Sequence, residues 1–250
     1  MIERPRISVI IPAIKNTSSH TELVQSLDSL DIAEILITGP QITLPVIGDK
    51  VRHLSAPIGR GPQIQAGLNA AMGNIIWILH SDSEIPPHAV KAIRKIMAKP
   101  SVSMGCFLLE FDKRGFWASL FAFISRFESP FSTFGDQGFF FSRGLVQYLP
   151  DLTQYPLMED IVLRRALMDY GGVKKSALSL KTSARLFNRD GPLRTQIKNA
   201  GFLWRFWRGV SSAKLYQDYY ATASTALRSK PALSLGLICL SFRNKALCTH

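Results

Sequence analysis

The sequence is poor in cysteine and contains no long hydrophobic run. Its three cysteines, Cys106, Cys239 and Cys248, are odd in number and form no C-x-x-C pair, so neither a disulfide framework nor a zinc site is indicated. No run of 18 apolar residues occurs, which argues against an ordinary membrane-spanning helix. The first residues lack the apolar stretch of a signal peptide. These absences predict a cytoplasmic protein.

Acidic residues are also scarce, with 18 Asp+Glu against 30 Lys+Arg and a net charge of +12. Such an excess suits nucleic acid, an anionic membrane surface or phosphorylated small molecules. The basic residues are scattered, so we expect no nucleic-acid partner. The hydrophobic fraction of 46% and the length of 250 residues indicate one large α/β domain, alone or with a small appendage.

The hydrophobic pattern predicts a parallel sheet. Short β-branched runs alternate with helical patterns in the first half, and this order is typical of strands joined by crossover helices. Strands are predicted over 6–11, 34–38, 51–54, 75–79, 105–111, 138–141 and 178–183, and helices over 20–30, 59–71, 86–99, 116–127 and 159–170. Beyond Asp190 the pattern becomes helical and aromatic. We therefore predict a domain over 1–190 and a helical C-terminal extension over 191–250.

The predicted strand 75–79 runs directly into His80, Ser81 and Asp82. In an open α/β sheet, ligands bind at the carboxyl ends of the strands, so Asp82 is a candidate ligand-binding carboxylate. An ordinary turn before a helix explains the same residues. Four further polar segments also have simple explanations as turns or helix starts: Pro12-Ala13, Gly59-Arg60-Gly61, Gly135-Asp136-Gln137-Gly138 and Met158-Glu159-Asp160.

Four of these segments carry motifs in a fixed order. They are Gly59-Arg60 with Gln63 and Gly67, Leu79-His80-Ser81-Asp82, Gly135-Asp136-Gln137 and Pro156-Leu157-Met158-Glu159-Asp160. They resemble G-R-x-x-Q-x-x-x-G, L-H-A-D, G-D-Q and P-L-M-E-D of a bacterial subfamily of the family 2 glycosyltransferases, over roughly residues 6–220. The resemblance implies the GT-A nucleotide-diphospho-sugar transferase fold, a Rossmann-like and mainly parallel sheet flanked by helices.

The resemblance also implies how a sugar-nucleotide donor is bound. Asp82 is the position that meets a divalent cation, Mn²⁺ or Mg²⁺, and Arg60 reaches toward the diphosphate. His80 contacts ribose, or ligates manganese, or is a satisfied histidine at a strand end. Arg185 closes over the phosphates. The rest of the predicted donor site consists of Pro12, Ala13, Gly39 and Ser81.

The same resemblance places the acceptor beside the E-D motif. Asp160 is the base that removes the proton of the acceptor hydroxyl, and Glu159 orients the acceptor or supports the loop. Asp136 and Gln137 lie on the acceptor side. The expected partners are a nucleotide-diphospho-sugar donor and an unidentified sugar, lipid or other acceptor.

Two family features are missing on the nucleobase side. The Asn-Glu pair that commonly follows the first strand is replaced by Lys15-Asn16, and the Asp after the second strand is replaced by Thr38-Gly39. Three explanations stay open: a different donor, weak donor binding, or a degenerate, non-catalytic nucleotide-binding or scaffold protein of the same fold. A peripheral membrane or nucleic-acid protein that acts through the +12 charge is a further alternative.

Tryptophan and arginine alternate in the segment FLWRFWR, from Phe202 to Arg208. One interpretation is an interfacial helix on the inner face of the membrane, with its arginines reaching the headgroups; a lipid-linked acceptor would then fit. The other is a helix that packs its aromatic residues on the catalytic domain, which we favour.

Overall fold

The computed structural model describes residues 4–13, 18–40, 48–111, 120, 123, 125–127, 133, 135–182 and 192–228. Its strands are β1 (Ile7–Pro12), β2 (Glu34–Gly39), β3 (Val51–Ser55), β4 (Ile75–Ile78), β5 (Val102–Phe111), β6 (Phe140–Ser142) and β7 (Gly172–Thr182). Its helices are α1 (Ser18–Asp28), α2 (Arg60–Ala70), α3 (Ala89–Met97), α4 (Glu159–Met168), α5 (Pro192–Trp207) and α6 (Ser212–Arg228).

The strands form a seven-stranded sheet in the order β3-β2-β1-β4-β6-β5-β7. The pairs are parallel except where β6 runs antiparallel to β4 and β5. The predicted α/β class with a mainly parallel sheet is confirmed. The single antiparallel strand was not predicted, because a run as short as Phe139-Phe140-Phe141 carries no information on direction.

Helices cover both faces of the sheet. The β-branched strands alternate their side chains between two cores. On one face Val9, Ile35 and Trp77 pack with α1 and α3 through Leu27 and Ile93. The other core joins α2 and α4 to the sheet through Ile10, Leu36, Ile76, Ile64 and Leu163. This layering leaves the carboxyl ends of β1, β2 and β4 together at one edge.

Strand β7 begins at Gly172, whereas the sequence predicts a strand from Leu178. It lies at the edge of the sheet beside β5, with a register shift between Cys106 and Leu108. An edge strand tolerates the exposed Lys174 and the half-buried Lys175, and these charges hide the strand pattern. The predicted helix 116–127 lies largely outside the described residues.

The chain divides into two compact units, Met1–Tyr216 and Gln217–His250. The predicted boundary at residue 190 falls in a segment outside the described residues and stays a prediction. None of the described helices is long and apolar enough to cross a membrane. Cys106, the one cysteine among the described residues, is buried.

The amino edge of the sheet holds an ion pair between the buried Glu34 and the exposed Arg52. Glu34 Oε2 lies 2.8 Å from Arg52 Nη1, and Glu34 Oε1 accepts hydrogen bonds from Ser8 Oγ and Met72 N, both at 2.6 Å. Gly73 N in turn donates to Ser8 Oγ at 2.8 Å. Both oxygens of the buried carboxylate are thus occupied, as a charge inside a protein requires.

Candidate active site

Main-chain atoms at the carboxyl ends of β1 and β2 line one side of the candidate site. Ala13 N donates to Thr38 O at 2.9 Å, and Ala56 N donates to Gly39 O at 3.1 Å. Gln63 of α2, whose side chain is buried, donates through Nε2 to Ala13 O at 3.1 Å. Pro12, Ala13 and Gly39 therefore contribute fixed main chain at the predicted donor side, and the motif residue Gln63 holds it.

Arg60, the first residue of α2, ties three segments together. Its Nε lies 2.5 Å from Glu159 Oε1, its Nη1 lies 2.9 and 2.6 Å from the two ring nitrogens of His80, and its backbone N–H donates to Pro156 O at 3.2 Å. Burial opposes the charged guanidinium, but Glu159, with Asp160 and Asp136, more than offsets this and raises the pKa of Arg60. Arg60 is therefore the positive centre of an acidic cluster.

Burial next to Arg60 shifts the pKa values of both Glu159 and His80. Burial raises the pKa of Glu159, and the guanidinium opposes that rise, so the ion pair favours the charged carboxylate. Burial and then the Arg60 charge lower the pKa of His80 well below its ordinary value. The neutral imidazole accepts from the guanidinium. Metal ligation by His80 stays a prediction, and it requires Arg60 to release the ring.

Asp160 is oriented by main-chain donors. Its Oδ2 accepts from Gly135 N at 2.9 Å, and its Oδ1 accepts from Ile161 N at 2.9 Å. A Cβ added at Gly135 would lie 3.1 Å from Asp160 Cβ and 3.2 Å from Arg60 Nη2. The glycine of the G-D-Q motif thus allows its backbone to approach both charged side chains, which a larger residue would push apart.

Asp136 completes the cluster. Burial, the neighbouring Asp160 carboxylate and, less strongly, Asp82 raise its pKa to about 6, against the opposing influence of Arg60. Its Oδ1 is buried, and no described residue donates a hydrogen bond to it. Since a buried carboxylate oxygen ordinarily has a donor or a cation beside it, this atom marks a place for a ligand.

The remaining predicted site residues are Gln137, Ser81, Asp82 and Arg185. The Gln137 side chain is buried and accepts a hydrogen bond from Cys106 Sγ at 3.4 Å, so it faces the core; its acceptor-side role stays a prediction. Ser81 and Asp82 occupy the half-buried turn after β4, and Ser83 N closes that turn on His80 O at 3.2 Å. Arg185 lies outside the described residues.

The loop before α4 is held in an unusual conformation. Met158 has φ 65°, a left-handed backbone that side chains larger than glycine rarely adopt and that costs about 1–3 kcal/mol. Gly59, at φ 131°, allows the facing chain to approach, since a Cβ there would lie 2.9 Å from Pro156 Cβ. The surrounding contacts thus impose the turn that presents Glu159 and Asp160.

A contact that sequence reasoning missed braces the same loop. Ser212 Oγ, at the start of α6, accepts from Leu157 N at 3.1 Å and donates to Leu157 O at 2.5 Å. Ser212 is buried, as is Leu215 one turn later. The pair of serines before α6 predicts a helix cap, but no pattern in the sequence predicts a partner 55 residues away.

The described residues contain no group of three or more His, Cys, Asp and Glu side chains arranged to hold a metal ion. Magnesium and manganese in phosphate chemistry are nevertheless held by one or two carboxylates together with substrate oxygens and water. Asp82 and Asp136 fit that lesser requirement, because they interact electrostatically and Asp136 offers the undonated oxygen described above.

No protein-family model matches the sequence, and curated proteins gave no match. Among solved structures, the 1–349 fragment of S. aureus TarS is similar over 74% of this chain and 63% of its own length, at 15% identity and TM-score 0.54. Its complex with UDP-GlcNAc matches over 71% and 58%, at 16% identity and TM-score 0.53. Mannosyl-3-phosphoglycerate synthase from Rubrobacter xylanophilus matches over 74% and 70%, at 15% identity and TM-score 0.49.

At these identities the similarity shows the fold alone. The chain has the GT-A fold, and its seven-stranded, mainly parallel sheet between helices agrees with the α/β fold class predicted from the sequence. The chain spans 63% of the length of the TarS fragment.

Proposed function

We propose that the chain is a glycosyltransferase that moves a sugar from a nucleoside-diphosphate donor to an acceptor hydroxyl, with a divalent cation and with inversion at the anomeric carbon. The observation that carries this proposal is the cluster of Asp136, Asp160 and Glu159 around Arg60, with Asp82 beside it, at the carboxyl edge of a GT-A sheet. Ligands bind at this edge in open α/β sheets. The UDP-GlcNAc complex of the structural neighbour TarS supports a sugar-nucleotide donor.

Asp160 is the proposed base. Its backbone hydrogen bonds fix the carboxylate, and each oxygen keeps a second lone pair for an acceptor hydroxyl. As the acceptor oxygen bonds to the anomeric carbon, the bond from that carbon to the diphosphate oxygen breaks. The diphosphate leaves with the electron pair, and the acceptor proton passes to Asp160.

Arg60 and Asp82 serve the leaving group. The planar guanidinium suits phosphate oxygens, and Glu159 and His80 hold it at the edge of the site. Asp82 and Asp136 would hold the cation, which neutralises charge on the departing diphosphate when it is bound. Glu159 thus acts through Arg60 and not on the acceptor.

Donor turnover tests this proposal. We expect release of nucleoside diphosphate from one of UDP-N-acetylglucosamine, UDP-glucose or GDP-mannose with Mn²⁺, and loss of release with EDTA or in Asp82→Ala. Met72→Ala, at an exposed position beside Glu34 at the opposite, amino edge of the sheet, is the control. Equal release by wild type and Asp82→Ala would contradict the assigned role of Asp82.

One observation favours a second candidate, a non-catalytic nucleotide-binding protein. The Asp that contacts the nucleobase in the family the sequence resembles is missing here, where the second strand ends in Thr38-Gly39, and the buried Oγ1 of Thr38 has no hydrogen-bond partner among the described residues. Calorimetry separates the two functions. Binding of a nucleoside diphosphate without turnover of any donor would favour the non-catalytic protein, whereas turnover excludes it.

A further inference from the structure

Helix α5 has one buried side and one exposed side. Phe202 and Leu203 are 8% and 7% exposed, whereas Ile197, Trp204 and Trp207 are 65%, 57% and 52% exposed. Residues 197 and 204 are two helical turns apart, and residue 207 follows 204 by nearly one turn, so the three lie on neighbouring stripes of one side. The sequence favours a helix that packs its aromatic residues on the domain. The structure agrees for Phe202, but it leaves Trp204 and Trp207 at the surface.

Positive charge accompanies this exposed side. Residues 191–217 contain five basic side chains and no Asp or Glu. The Arg208 guanidinium lies over the Trp204 ring at 4.9 Å, and that of Arg205 lies over the Phe202 ring at 5.5 Å. Arginines that lie along aromatic rings keep their charge near the apolar surface, where an anionic headgroup can reach both.

We propose that this side of the helix, defined by Ile197, Trp204, Trp207 and Arg208 and here called the outer face of α5, binds the surface of an anionic lipid bilayer. Tryptophan and arginine side by side match the boundary between acyl chains and headgroups. The net charge of +12 attracts the protein to an anionic lipid surface. An uncharged protein partner would gain nothing from this charge, so we favour the bilayer.

The consequence for the reaction rests on the proposed function. With the outer face of α5 on a bilayer, a transferase of this fold meets acceptors carried on lipids, so the acceptor class would be a lipid-linked hydroxyl. Binding to the bilayer does not require catalysis. A protein that binds vesicles without turning over any donor would retain the surface inference and lose the proposed function.

Vesicle co-sedimentation of the full chain tests the surface. We expect the wild type to bind phosphatidylglycerol–phosphatidylcholine vesicles and not pure phosphatidylcholine. Trp204→Ser/Trp207→Ser should reduce the bound fraction about tenfold, and about 0.5 M salt should weaken binding further. Ile58→Ser, which alters another exposed apolar residue (54% exposed), is the matched control and should bind as the wild type does.

A second double variant tests the same surface in case the tryptophan variant does not fold. Arg205→Glu/Arg208→Glu should also lose binding, and thermal melting identifies any variant that is unfolded. Undiminished binding by both folded double variants, or equal binding to neutral vesicles, would overturn the inference. So would a wild-type dimer that ignores vesicles and becomes monomeric in Trp204→Ser/Trp207→Ser, because the face would then be a self-interface.

Discussion

Two ion pairs, each with a buried glutamate, lie at opposite edges of the same sheet, and the polar networks around them differ in how completely they are satisfied. At the amino edge, Glu34 pairs with Arg52 and accepts from Ser8 and Met72. At the carboxyl edge, Glu159 pairs with Arg60, and burial together with the nearby Asp160 raises the pKa values of Glu159 and Asp136. Both oxygens of Glu34 have hydrogen-bond partners. The cluster around Arg60 includes an Asp136 oxygen with no donor among the described residues.

We interpret the difference as one between a structural pair and a pair that belongs to the proposed active site. The carboxyl edge contains the undonated Asp136 oxygen and the left-handed Met158, features that persist where a ligand is to be bound. Among the described residues, Glu34 has neither feature in its surroundings. Substitutions at the two edges should therefore affect different properties, stability at one and activity at the other.

The largest effect is expected for Asp160→Asn. The amide keeps the shape of the side chain but removes the base, so transfer should fall by about 10²–10⁴-fold while the melting temperature stays close to that of the wild type. Steady-state release of nucleoside diphosphate measures the loss. Asp169 is an exposed residue just beyond the same helix, and Asp169→Asn should remain fully active. If this control lost as much activity, the loss in Asp160→Asn would not support Asp160 as the base.

The matching change at the amino edge is Glu34→Ala. It leaves the buried Ser8 Oγ and the part-buried Met72 N–H without their acceptor, which should lower the free energy of unfolding by about 2–4 kcal/mol without changing turnover per folded molecule. Glu159→Ala should lower stability less, because Asp160 and Asp136 remain near Arg60. Urea denaturation measures both, and the opposite order of destabilisation would break the comparison between the edges.

Asp136 predicts a pH dependence confined to the carboxyl edge. Its pKa is about 6 in the folded chain against an ordinary 3.8, so the folded protein binds this proton more tightly than the unfolded chain. Without metal, the free energy of unfolding should fall as pH rises between these two values, by about 3 kcal/mol in all. Asp136→Asn should abolish that fall in thermal melts with EDTA. An identical pH profile in the variant would contradict the burial and repulsion assigned to Asp136.

The smallest effect concerns the contact between Ser212 and the loop before α4, which presents the proposed base. Ser212→Ala removes two hydrogen bonds to Leu157, so turnover should fall about fivefold to tenfold and amide exchange at Leu157 should accelerate. Ser212→Thr should restore both properties. Ser211→Ala, its exposed neighbour, is the control. Exchange at Leu157 that does not respond to Ser212→Ala would show that the contact has no positioning role.

Local patterns in the sequence predict much of this fold, because buried β-branched runs and helical spacing are local properties. They fail where the decisive partner is remote. The direction of β6 depends on β4 and β5, and the early start of β7 depends on its edge position beside β5. In the site, the motifs predict candidate residues, but the Arg60–Glu159 pair joins positions 99 residues apart, and no sequence pattern predicts that His80 lies against Arg60.

The most direct test of the proposed site is a calorimetric titration of UDP and GDP into the wild type and Asp82→Ala, each with Mn²⁺ and with EDTA. If the carboxylates at the carboxyl edge hold a cation for the donor diphosphate, one nucleotide binds the wild type with Mn²⁺, and either EDTA or Asp82→Ala weakens binding at least about tenfold. If the nucleotide bound with equal affinity with and without Mn²⁺, and bound Asp82→Ala as tightly as the wild type, the proposed cation site would be contradicted.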